Sequence, residues 1–276
     1  LNSNFKSVRL DSFNRNEDIV VRCLHDIKEY YKQVIYELKK VKEKNDVSNS
    51  SVSMYNPIKI FNTQIRPIQS MSILNDGRLA VVQDIPRVNI YNLLTHKCEI
   101  EINAELIEPD LGFTFLSQMP NGNIIISSDK GKIFIYQIKK RISKLLHSFL
   151  GHNTRVSKVI PIKNNYIASS SFDKTIKIWN STYPFSCVFT FSGHIDSVIS
   201  IISLKSNDKI VSGSFGEDKS IRVWRVKGGF KCLDIIYNVK CCYANSLIEL
   251  PENKILSGGK KYIYVVKIIS FSLDEV

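Results

Sequence analysis

The chain has 276 residues, 43% of them hydrophobic, and a formal net charge of +12. That length admits one or two domains, and no uninterrupted apolar run reaches the roughly 18 residues a membrane-spanning helix needs. The basic residues are scattered, and the longest clusters, Lys139-Lys140-Arg141 and Lys260-Lys261, are not interleaved with aromatic rings. A base-stacking platform needs that interleaving, so nucleic acid is not the expected partner.

Residues 1–16 are polar and irregular, without the basic, apolar and small-residue order of a signal peptide. The first residue is Leu1 rather than Met, from which a fragment of a longer product is expected. Over 17–45 the pattern turns helical. Val20, Leu24, Ile27, Tyr31, Val34, Leu38 and Val41 follow one another at alternating steps of four and three. That is the seam of a coiled coil, which would join two copies through residues 20–41. The competing reading is one amphipathic helix lying on the rest of the chain. Residues 46–55, rich in Ser and Asn, read as a linker.

From 56 to 276 the chain alternates apolar and polar residues at period two, broken by turn-forming groups. These are NDG from Asn75, PNG from Pro120, KNN from Lys163, SND from Ser206 and PEN from Pro251. One stretch is written twice. GHNTRVSKV is followed by YIASSSFDKTIKIW, and GHIDSVISI by KIVSGSFGEDKSIRVW. Trp179 and Trp224 end these units, and Tyr91, Tyr136 and Val266 take the same place in three others at intervals of 42 to 45 residues. Five repeats of strands are thus predicted. The segment 56–65 is an extra outer strand at the start, and the fifth repeat has only the residues after Lys267 for its own.

A period near 40–45 with Gly-His opening and Trp closing resembles the WD-repeat β-propeller family, which builds four strands per blade. The resemblance implies an all-β propeller preceded by a helix. Either its first strand completes a five-bladed ring, or the chain is most of a seven-bladed one; the fragment reading is preferred. It also implies a hydrogen-bonded chain within a blade. His152, Asp173 and Trp179 would join Ser169 or Ser171, and His194, Asp218 and Trp224 would join Ser212 or Ser214. A Ser, His and Asp together invite a hydrolase reading, but no G-x-S-x-G elbow accompanies them. No catalytic residue is therefore assigned.

The six cysteines show no C-x-x-C pair and no ladder with His at metal spacing, so neither a metal nor another cofactor is expected. Cys98, Cys187 and Cys232 recur at one place in successive repeats and read as small packed side chains opening outer strands. A reducing compartment follows, the cytoplasm first and the nucleus second.

The resemblance implies partner contacts three and five places after each Gly-His histidine and just before each turn Asp. Those positions hold Arg155, Ser157, Phe172, Ser197, Ile199 and Glu217, with Asp84 and Asp129 as counterparts in the first two repeats. The expected function is a non-enzymatic scaffold that binds a peptide or protein. Alternatives are the substrate-recognition part of a ubiquitin ligase and an RNA- or phosphoinositide-binding propeller.

Overall fold

The computed structural model describes residues 67–83, 85–104, 108, 110–205, 208–237, 246–258 and 263–268. The predicted helix over 17–45, its heptad seam, the linker and the early strand 56–65 lie outside the described residues, as do Asp84, Cys23, Cys241, Cys242, Lys260 and Lys261.

The described residues form antiparallel sheets in chain order. The first holds β1 (Ile68–Ile73), β2 (Leu79–Gln83), β3 (Arg87–Tyr91) and β4 (Cys98–Asn103). The second holds β5 (Phe113–Gln118), β6 (Ile124–Ser128), β7 (Lys132–Lys139) and β8 (Ile142–Leu150). The third holds β9 (Val156–Ile162), β10 (Tyr166–Ser171), β11 (Ile176–Asn180) and β12 (Ser186–Phe191). The fourth holds β13 (Val198–Ser203), β14 (Lys209–Ser214), β15 (Ile221–Arg225) and β16 (Lys231–Ile236). A fifth sheet contains β17 (Ser246–Leu250), β18 (Lys254–Gly258) and β19 (Ile263–Lys267). The boundaries follow the predicted turns, and the register places Tyr91, Tyr136, Trp179, Trp224 and Val266 opposite the second strand of their sheets at equivalent points.

Burial explains the strand sequences. Each apolar core lies between two consecutive sheets, so a middle strand is covered on both faces. Ile124 and Ile126 enter the core shared with the first sheet, while Ile125 between them enters the core shared with the third. Ile167 and Ala168, and likewise Ile210 and Val211, divide between successive cores in the same way. Strands buried on both faces need continuous apolar runs rather than alternation. The sequences IIISS and LAVVQ meet that need.

Every inner strand of the first four sheets carries a β-bulge at the same point, leaving Gln69, Thr114, Ser157 and Ile199 as the extra residues. A bulge re-aims the side chain it frees. Thr114 Oγ1 donates to Val156 O of the next inner strand at 2.6 Å, and Ser157 Oγ donates to Val198 O at 2.5 Å. Gly131, with φ at +76°, ends the β6–β7 turn close against the carbonyl of His152 in the loop that leads into β9. A side chain there would overlap that carbonyl, which is why a Gly stands at this position.

The cysteine expectation needs correction. Cys98 and Cys187 are exposed and do not act as packed apolar residues, whereas half-buried Cys232 packs against the core between the third and fourth sheets as expected. All three are free thiols paired across from Tyr91, Trp179 and Trp224 at the start of outer strands.

Candidate partner-binding rim

Two buried polar chains brace the third and fourth sheets. Trp179 Nε1–H donates to Ser169 Oγ at 2.8 Å, and Ser169 Oγ lies 2.7 Å from His152 Nε2. His152 Nδ1 in turn lies 2.8 Å from Asp173 Oδ2. An indole nitrogen only donates and a carboxylate only accepts. Protons therefore run one way: the Ser169 hydroxyl donates to Nε2, and a neutral His152 donates from Nδ1 to Asp173. The fourth sheet repeats this with Trp224, Ser212, His194 and Asp218 at 2.7, 2.7 and 2.5 Å. Ser169 and Ser212, rather than Ser171 and Ser214, are the serines used.

The arrangement has the connectivity of a Ser-His-Asp triad, but its serine has 0% exposure and accepts a bond from an indole. No substrate carbonyl can reach it. Burial holds both histidines below their ordinary range against the pull of their aspartates. Burial also pushes the Asp173 carboxyl up, but bonds from His152, Thr175 and the Asn153 amide outweigh it and leave the group well below the usual carboxylate range. Unpaired, each member would cost more to bury than the bonds return, so the chain is kept whole.

These chains anchor loops that meet at one rim. Phe172 N–H donates to Arg155 O at 3.0 Å, and Ser197 Oγ donates to Phe172 O at 3.5 Å. Phe215 N–H donates to Ser197 O at 2.8 Å. The Arg155 guanidinium lies 6.0 Å from the Phe172 ring centroid, and its Nη2 donates to Gln69 Oε1 at 3.0 Å. That last bond joins the third sheet to the first, so the inner strands converge at this end. Three apolar side chains stand out of the rim: Ile195 is 62% exposed, Phe172 43% and Phe215 37%.

The family model described as "WD domain, G-beta repeat" matches residues 143–180 and 185–225, the segments that hold both polar chains. Those two segments carry WD40 repeats. COMPASS component SWD3 of Saccharomyces cerevisiae is 29% identical over 191 residues, covering 69% of this chain and 58% of that protein. The ribosome biogenesis protein WDR12 homolog of Culex quinquefasciatus is 28% identical over 164 residues, covering 58% of this chain and 37% of that protein. Among solved structures, U3-55K aligns with a TM-score of 0.63 at 18% identity, over 75% of this chain and 63% of that one. The RRP9 WD40 repeats align at 0.60 and 19%, over 72% and 59%. The chain thus spans less than two thirds of each of these proteins. The structural likeness shows the fold, a WD40 β-propeller.

The sequence-predicted contact residues separate into two groups. Arg155, Phe172, Ser197 and Glu217 are brought together on the rim, where the Glu217 amide donates to Asp196 Oδ2 at 3.1 Å. Ile199 is a half-buried bulge residue on β13. Ser157 is turned inward, its hydroxyl bound to Val198 O and 2.9 Å from Ser170 Oγ. Asp129 also works internally, with Oδ1 accepting from the Gly112 amide at 2.8 Å. The sequence reading passed over Phe215 and Ile195. Phe215, not Glu217, is the counterpart of Phe172, because both amides bond to the carbonyl just before the inner strand. The signal was present as Ser-Phe after each serine-rich strand.

Proposed function

We propose that this WD40 chain is a non-enzymatic adaptor that binds a peptide or protein partner on the rim formed by Arg155, Phe172, Ile195 and Phe215. The observation that carries this is the grouping of exposed apolar side chains beside a fixed guanidinium, on loops held by buried hydrogen bonds. Aromatic and Arg side chains on such a preorganised surface dominate interface energies. Relatives named as a complex component and as a ribosome biogenesis protein support a protein partner. The free thiols of Cys98, Cys187 and Cys232 suit a reducing compartment.

The Arg155→Ala/Phe172→Ala double variant is expected to lose its cellular partners in affinity capture. Its stability should change by less than about 1 kcal/mol, since both side chains stand outside the apolar cores. A stably folded double variant that captures an unchanged set of partners would place the site elsewhere.

A further inference from the structure

The lysine of β9 meets an aromatic ring but no charged partner among the described residues. Lys158 is half-buried on the inner strand, with its Nζ 5.4 Å from the Phe115 ring centroid, and it makes no hydrogen bond or ion pair among the described residues. Its position, directly after the bulge, holds Phe115 in the second sheet and Ser200 in the fourth. The repeat geometry therefore accepts an aromatic ring or a small hydroxyl here and does not require a cation.

Among the described residues no carboxylate is bonded to it. The inner strands β1, β5, β9 and β13 carry no Asp or Glu. On β17, Glu249 accepts from the Lys205 amide with both oxygens. Arg155, three residues before Lys158, uses one of its donors on Gln69 and, among the described residues, none on a carboxylate. On the following inner strand the Ser200 hydroxyl is buried without a partner. Arg155 and Lys158 thus lie three residues apart at the rim end of one chain segment, one reaching Gln69 of the first sheet and the other Phe115 of the second, and among the described residues neither is paired with a carboxylate.

We propose that Arg155 and Lys158 form an anion subsite that receives the carboxylate of an acidic residue on the partner peptide. This rests on the rim reading above, and it adds the chemical class of the partner. Burial pushes the Lys158 ammonium below its ordinary range, with no opposing group to restore it. A carboxylate arriving from a partner supplies that opposing charge, in a partly desolvated place where charge-assisted hydrogen bonds are strong.

The probe is a fluorescent oligoglutamate peptide, with oligoglutamine as its uncharged counterpart, followed by anisotropy at about 0.15 M salt, where long-range attraction to a basic protein is screened. Oligoglutamate should bind and oligoglutamine should not. Lys158→Met keeps an unbranched chain of similar length over Phe115 and should weaken oligoglutamate binding about tenfold, the loss of one charge-assisted bond. Lys158→Arg should retain binding, and the melting temperature of Lys158→Met should not fall. A Lys139→Ser/Lys140→Ser variant, altered at the exposed β7–β8 tip, should bind as wild type does. Unchanged binding by Lys158→Met overturns the subsite, and so does equal loss in the tip variant. If Phe172→Ala abolishes partner capture while Lys158→Met leaves oligoglutamate binding intact, the rim stands and the subsite falls. The reverse pattern keeps the subsite and moves the partner's apolar contact.

Discussion

Replacing Trp179 with alanine is expected to cost about 3–5 kcal/mol of folding stability, the range for deleting a large aromatic from a packed core. The indole is 2% exposed, lies 5.1 Å from Phe149 between ring centroids, and fills the core between the second and third sheets. Its removal also leaves Ser169 without the donor that orders the His152–Asp173 pair. Trp179→Phe separates the two effects, since it keeps most of the volume and loses only the N–H; about 1–2 kcal/mol is expected there. Urea denaturation of the three proteins measures both. Partner capture by the folded fraction of Trp179→Ala should persist, because the indole does not reach the rim. A loss below about 1 kcal/mol in Trp179→Ala would contradict the bracing role.

Stability is also expected to fall with acid, in two steps. The buried histidines have folded-state pKa values below 6.5, so the unfolded chain takes up their protons first. Stability declines as the pH falls through that value. The second step belongs to the aspartates. Burial raises the Asp218 carboxyl, but bonds from His194, Ser220 and the Ile195 amide bring it from 3.8 down to about 2. Its contribution is complete above about pH 4 and disappears as the pH falls toward 2. A displacement of that size corresponds to about 2 kcal/mol. Asp173 is displaced in the same direction, so its contribution is lost over the same acid range. Urea midpoints at pH 7, 5 and 3 follow both steps, and a midpoint constant across that range would remove the pairs from the stability of the fold.

The repeats were legible because their cause is periodic. A strand between two cores must be apolar on both faces, and a buried Trp, His and Asp must find one another, so Trp179 and Trp224 mark equivalent places in any reading of the sequence. Tyr91, Tyr136 and Val266 could be aligned on them by interval alone. The contact residues were less legible, because spacing does not record where a side chain points. Nothing in GHNTRVSKV shows that the strand bulges at Ser157 and sends its hydroxyl to the neighbouring sheet. Counting back from the turn Asp selected Glu217, since Gly216-Glu217 lengthens that turn; the backbone bonds show that Phe215 keeps the place of Phe172. Lys158 was passed over because a lone lysine in a strand carries no pattern.

The bulge hydroxyls have a consequence for how the array opens. Thr114 fastens the second sheet to the third and Ser157 fastens the third to the fourth, but the same place in the fourth sheet is Ile199, which has no hydroxyl to offer the fifth. Sheets stacked in series come apart at their least-fastened seam, and amide exchange in the native state reports the free energy of each local opening. Protons of β9 and β13 should therefore persist longest in deuterated solvent, with those of β17 to β19 replaced well before them. Uniform exchange across all the sheets would count against this order. Under it, the loops bearing Arg155 and Phe172 stand on the part of the protein that opens last, so their spacing would outlive breathing elsewhere in the chain.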